Sequence, residues 1–229
     1  MSKIIGICGF MGSGKDTIAD YLVNNHEYRR ESFANSLKDT VASMFNWDRD
    51  MLEGRSKSSR EWREQVDAWW ADRLGIPNLT PRWVLQYFGT DVVRQQFHDD
   101  MWIASLENRL AKSTDDIVIT DCRFPNELKA IRQAGGMVIR VKRGPEPEWY
   151  EFAEQYNKGP KQNIGWALSK GRLIEEYKVH PSEYSWVGQE FDTILENDSS
   201  LDDLYDQIEI FLDVNSQDGY HPEPNLTLL

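Results

Sequence analysis

Residues 9–17 read GFMGSGKDT. Gly9, Gly14 and Lys15 stand at the spacing of a phosphate-binding loop, in which backbone N–H groups cradle phosphates and the lysine reaches their outer oxygens. Gly12 and Ser13 lie inside that cradle and join the set expected to contact ATP. The position after the lysine usually carries a Ser or Thr whose hydroxyl meets Mg²⁺; here it is Asp16. A carboxylate is also a hard oxygen ligand for Mg²⁺, directly or through water. It adds negative charge beside a polyphosphate, so Lys15, the metal and nearby arginines must compensate. Thr17 follows, where many such loops place a hydroxyl on the α-phosphate. The expectation is a working variant of the loop.

A second carboxylate is expected at the end of a neighbouring strand, and the run IVITD supplies Asp121. Alone, a strand-end Asp is more often a helix cap; beside the loop it suits the metal, holding a Mg²⁺-bound water. Cys122 follows it, not the Glu that many water-activating ATPases carry. That favours transfer to a bound acceptor over hydrolysis.

These residues need elements to hold them. KIIGICG (3–9) is an apolar run that predicts a central parallel strand. Further strands are predicted at 31–34, 115–121, 137–143 and 191–197. Helices are predicted after the loop, over 35–45, as one amphipathic helix following a basic loop within 53–75 and closed by Gly75, over 81–97 behind Thr80, over 100–113, over 124–136, and at the end of the chain. Alternating strands and helices imply an α/β fold, a parallel sheet covered by helices on both faces, with ligands at the carboxyl ends of the strands. The reading places one domain over 1–212, with a helical acceptor-binding region at 35–112. A polar, Gly- and Pro-punctuated insertion at 144–182 reads as a lid, and 213–229 as a tail.

Composition excludes several classes. The chain has 229 residues and a net charge of −12, which argues against a nucleic-acid or bilayer-surface partner. After Lys178 no Lys or Arg occurs while twelve Asp and Glu follow, so the body is balanced and the excess is C-terminal. Cys8 and Cys122 show neither metal nor redox spacing, the pattern of a reducing cytoplasm. No stretch approaches the roughly 20 apolar residues of a membrane span.

Five blocks, SGKDTIADYL, FANSLKD, LQYFGTDVVRQQFHDDMW, ITDCRFPNELKAIRQAGGMVIRVKRG and HPSE followed by ILENDSSLDDL, span most of the chain in order. Together they resemble the deoxynucleoside monophosphate kinases of tailed bacteriophages, which have the P-loop kinase fold. The Asp after the loop lysine belongs to that pattern. The resemblance implies transfer of the γ-phosphoryl of ATP to a deoxynucleoside 5′-monophosphate, with Mg²⁺, in a host cytoplasm. Its members are often dimeric, so a homodimer is compatible with it.

Within this frame Arg123 and Arg143 join Lys15 as the cations expected at the transferred group, and Arg140 reads as a strand-face residue. Lys38, Arg60, Arg63, Gln86, Asp91, Arg94 and Trp102 are the acceptor-binding candidates. For Trp102, as for Trp62 and Trp83, core packing competes with stacking on a base. Asp91 could instead pair with Arg94 one helical turn on. Asn197 lies where this fold often holds the adenine, and His180 and Glu183 read as hinge or capping residues. The rivals are a P-loop kinase for another small molecule and a nucleotide sensor without turnover.

Overall fold

A computed structural model describes residues 3–111, 113–161 and 163–217. The single domain expected over 1–212 resolves into two compact units, one from Met1–Glu31 and Thr114–Leu229 and one from Ser32–Ser113.

The first unit holds a five-stranded sheet of β1 (Ile4–Cys8), β2 (Arg29–Glu31), β3 (Ile117–Ile119), β4 (Met137–Lys142) and β5 (Thr193–Glu196). Every pairing is parallel, in the order β2-β3-β1-β4-β5. The apolar β1 is central: Ile4 lies opposite Ile117 on one side, and Cys8 opposite Arg140 on the other. Its side chains alternate between two covered faces. Ile5 and Ile7 pack with Ile18 and Leu22 of α1 (Lys15–His26), the helix that follows the loop.

The second unit contains α2 (Asn35–Phe45), α3 (Arg49–Glu53), α4 (Lys57–Arg63), α5 (Ala68–Leu74), α6 (Pro81–Gln86) and α7 (Met101–Leu110). The helix expected over 81–97 is α only through Gln86; Tyr87–Phe97 widens to five-residue hydrogen bonding, as in His98 N–H to the Val93 carbonyl at 2.9 Å. Gly89 sits against Leu37, where a Cβ would lie 2.7 Å from a Leu37 methyl, and its carbonyl accepts from the Trp102 indole. That tertiary demand on the backbone is not visible in the helical periodicity.

The sheet's other face is covered by α8 (Pro125–Gln133), whose Ile131 fills the space beside Gly6. The insertion at 144–182 is largely helical: α9 (Tyr150–Lys158), α10 (Ile164–Gly171), a wide turn at Arg172–Glu176, and α11 (Pro181–Tyr184). Ala153, Leu173, Tyr184 and Trp186 give this region a buried centre. The final helix, α12 (Leu201–Gln217), places Leu204 and Ile208 in the same core as Ile5.

Beyond shifts at element ends, the helix expected within 53–75 forms two pieces, α4 and α5, and the second strand and the final helix depart from expectation. The second strand is Arg29–Glu31 rather than 31–34, a polar edge that no apolar run marks. The final helix absorbs 213–217 of the expected tail, and residues 218–229 lie outside the described ones. Among the described residues no helix is long and apolar enough to cross a membrane.

Candidate active site

The loop between β1 and α1 is shaped by two glycines. Gly9, at φ +143°, leaves no room for a side chain: a Cβ there would lie 2.4 Å from the Val141 carbonyl oxygen of β4. Gly14, at φ +108°, lets the Asn197 amide approach as closely, and Asn197 Nδ2 donates to the Ser13 carbonyl at 2.8 Å. Phe10 anchors the loop's other side in an aromatic cluster, with ring centroids 5.3 Å from Trp149 and 4.7 Å from Trp186. The loop is therefore braced by β4, by the residue after β5, and by the insertion.

Lys15 opens α1 and turns into the loop, donating to the carbonyls of Gly9 at 2.8 Å and Phe10 at 2.7 Å. Burial and then the charge of Arg123 lower its pKa to about 8, against the opposing pull of Glu183, Cys8 and Asp121. Such a lysine stands among oxygen acceptors that phosphate oxygens can replace. Ser13 Oγ is buried without a hydrogen-bond partner, Gly12 is open, and Thr17 is half-buried in the first turn of α1.

Asp16 is 64 % exposed and ion-paired with Arg30 of β2. Arg30 also donates to Asp20 Oδ1 at 3.0 Å and Thr120 Oγ1 at 3.1 Å. Asp121 follows β3 and is half-buried. Arg123 is bonded to Glu183 at 2.7 Å. Burial opposes the charge of Arg123, but Glu183, Asp121 and Glu127 outweigh it and raise its pKa. Glu127, in turn, accepts from the backbone N–H of Arg123 and Phe124 and caps α8.

Lys15, Arg30 and Arg123 thus face Asp16, Asp20, Asp121 and Glu183. A polyanion added to that set needs further positive charge, which a divalent cation supplies. Among the described residues no group of three or more acidic, His or Cys side chains could hold a metal by itself. Mg²⁺ bound mainly through phosphate oxygens and water needs only one or two carboxylates. Asp16 and Asp121 fit that requirement.

Arg143 lies exposed just past β4, two residues beyond the Val141 carbonyl that touches Gly9. Arg140 lies on the face of β4, opposite Cys8. It is buried, its Nη2 donates to both Glu146 carboxylate oxygens at 2.6 and 2.8 Å, and its guanidinium lies over the Trp186 ring. His180 caps α11, and Glu183 takes Arg123.

In the second unit the acceptor candidates divide. Lys38 is paired with Glu53 at 2.8 Å, and Arg49 binds the same carboxylate. Burial alone would raise Glu53, but Lys38 and Arg49 overcome it and hold its pKa at about 2. Arg63 lies over Gly54 and donates to the Leu52 carbonyl at 3.4 Å, while the exposed Arg60 donates to the Arg55 carbonyl at 2.7 Å. Gln86 and Asp91 are half-buried, with Asp91 accepting from Gln95.

Three of the candidates are engaged within the protein itself. Arg94 is buried and holds Asp99 through the carbonyl at 2.8 Å and the carboxylate at 3.3 Å, so it staples its own turn. Trp102 is a core residue whose indole N–H donates to Gly89 at 2.9 Å. Asn197 donates its side-chain amide N–H to the loop backbone at Ser13. Arg30 and Glu53 escape the sequence reading. An Arg directly before the second strand run, and an acid amid four basic residues at 49–60, are the signals that could have found them.

The sequence model of the deoxynucleotide monophosphate kinase family matches residues 75–151. The chain is 27 % identical to a putative deoxynucleotide monophosphate kinase of Acanthamoeba polyphaga mimivirus, over 93 % of this chain and 98 % of that one. It is 29 % identical to the deoxynucleoside-5′-monophosphate kinase of Escherichia phage T5, over 58 % of this chain and 73 % of that one. A solved shikimate kinase from Aquifex aeolicus overlaps loosely, at 12 % identity and a TM-score of 0.46 over 94 % of this chain and 99 % of that one. The family match and the two viral relatives make this chain a kinase enzyme related to the deoxynucleotide monophosphate kinases.

Proposed function

We propose that the chain transfers the γ-phosphoryl of ATP to the 5′-phosphate of a deoxynucleoside monophosphate, giving ADP and the diphosphate. The observation that carries this is Lys15, held between the Gly9 and Phe10 carbonyls at the start of α1, with Asp121 and Arg123 close enough to act on its charge. The family match supports the acceptor class, since residues 75–151 include the stretch QYFGTDVVR.

The attacking phosphate oxygen is already anionic near neutral pH, so no strong general base is needed. Catalysis then consists of alignment and charge neutralisation with water excluded. Loop N–H groups and the α1 N-terminus hold the donor phosphates, and Lys15 exchanges its carbonyl partners for phosphate oxygens. Arg123, oriented by Glu183, and the exposed Arg143 neutralise the group in flight. Asp16 and Asp121 would hold Mg²⁺, which supplies charge neutralisation on the donor phosphates. Lys38, Arg60 and Arg63 are the cations for the acceptor phosphate, and Gln86 and Asp91 the polar groups for its base or sugar.

The test is phosphoryl transfer from ATP with Mg²⁺ to the four common deoxynucleoside monophosphates, modified pyrimidine monophosphates, ribonucleotides and unphosphorylated nucleosides. Diphosphate from one or more deoxynucleotides is the expected result. Binding of ATP with no product from any acceptor would sink the acceptor assignment and leave the loop standing.

A further inference from the structure

We infer that Arg30 is a positioning residue for the metal side of the loop: it aims the Asp16 carboxylate, and the two residues together do what a single Ser or Thr hydroxyl does in the usual loop. This rests on the nucleotide-site reading above. The guanidinium is not a solvated surface charge, since only 15 % of the Arg30 side chain is exposed. One planar fork reaches three acceptors: Asp16 Oδ1 and Thr120 Oγ1 through Nη2, and Asp20 Oδ1 through Nη1. Thr120 directly precedes Asp121. The fork therefore ties the first turn of α1 to the end of β3, the two places that carry the candidate metal carboxylates.

The bond to Asp16 engages Oδ1. A carboxylate held through one oxygen is both turned and offset in charge, and its other oxygen stays available. Metal-binding carboxylates are commonly fixed by such partners. A Ser or Thr hydroxyl sits on a short, neutral side chain and needs no such partner. An Asp has one more torsion and a full negative charge, so replacing the hydroxyl creates a need for both orientation and compensation. Arg30 answers both. A lysine would keep the charge but not the fixed fork that spans three acceptors.

Pairwise charge alone would give Arg30 the same effect on nucleotide binding whether or not Asp16 is present; aiming would not. The experiment measures binding of ADP by calorimetry, with and without Mg²⁺, for the wild type, Arg30→Lys, Asp16→Ser and the double variant, with melting curves for each. Arg30→Lys should weaken binding of Mg²⁺–ADP about tenfold, the usual size of an outer-partner effect, and metal-free ADP by less than about twofold. In the Asp16→Ser background the same change should cost less than about twofold, because there is no carboxylate to aim.

Equal loss with and without Mg²⁺, equal loss in both backgrounds, or an unchanged Mg²⁺ effect in Arg30→Lys would each overturn the inference while leaving the nucleotide site in place. A wild type that binds neither ADP nor Mg²⁺–ADP overturns the site reading and the inference with it. If Arg30→Lys melts below the assay temperature, Thr120→Val takes its place. It removes one acceptor of the fork with little change of shape. A smaller but still Mg²⁺-selective loss is then expected, and an unchanged Mg²⁺ effect would overturn the inference.

Discussion

Nucleotide binding should draw a proton onto Lys15. In the free protein its pKa is about 8, lowered first by burial and then by Arg123. Phosphate oxygens taking the place of the Gly9 and Phe10 carbonyls would return it toward the ordinary 10.5, since nearby anions favour the charged form. At pH 8 about half of the free protein carries the neutral amine, at pH 7 about a tenth and at pH 9 about nine tenths. Mg²⁺–ADP binding should therefore take up about 0.1, 0.5 and 0.9 proton at pH 7, 8 and 9. Its affinity should fall about fortyfold in all between pH 8 and pH 10.

The sign for stability is the reverse. Without nucleotide, the unfolded chain keeps its lysine proton up to about 10.5 while the folded chain loses it near 8. This group's contribution to stability therefore improves as pH rises through that window. Calorimetric titrations in buffers of different ionisation heat read the uptake directly, and Lys15→Met should abolish the pH-dependent part. Uptake near zero at pH 9, or the same uptake in Lys15→Met, would refute the reasoning.

Other variants test the remaining assignments. Lys15→Ala should abolish phosphoryl transfer with an unchanged circular dichroism spectrum; near-normal turnover would remove the loop from the mechanism. Asn197→Ala leaves the Ser13 carbonyl without its buried donor, so urea unfolding should show a loss of about 1–3 kcal/mol together with weaker nucleotide binding. Trp102→Phe strands the Gly89 carbonyl at a cost of about 1–3 kcal/mol, and Trp102→Ala should cost about 3–5 kcal/mol. A raised KM for the acceptor at unchanged stability would show instead that Trp102 meets substrate.

The buried strands were legible because a strand covered on both faces must be largely apolar, as β1 and β3 are throughout and β4 is apart from Arg140 and Lys142. β2 is short and opens with two arginines, so its pattern points to an apolar stretch two residues later. The charge that hides the strand is the charge that compensates Asp16. The glycine–lysine spacing exposed the loop, but not what braces it: Ser13 and Asn197 are 184 residues apart in sequence, and no local pattern reports such a contact. Trp102 and Arg94 show the same limit. Their residue types suit a nucleotide as well as they suit a core, and only the packing around Gly89 and Asp99 separates the two. Short helices between Gly and Pro hid the organisation of 144–182, whose aromatic pairs, such as Tyr156 stacked on Trp166, join segments with little periodicity of their own.

The brace on the loop also orders events during synthesis. Gly9–Lys15 is synthesised before Val141 and Asn197, yet its shape depends on both. Even β1 finds its first strand partner only at Ile117. Closing contacts of such long sequence separation is slow and comes late. A nascent chain therefore carries the complete glycine motif before a phosphate cradle can form. The capacity to hold a nucleotide arrives only when the last strand docks, so a truncated product that stops before residue 197 would keep the signature and lack the site.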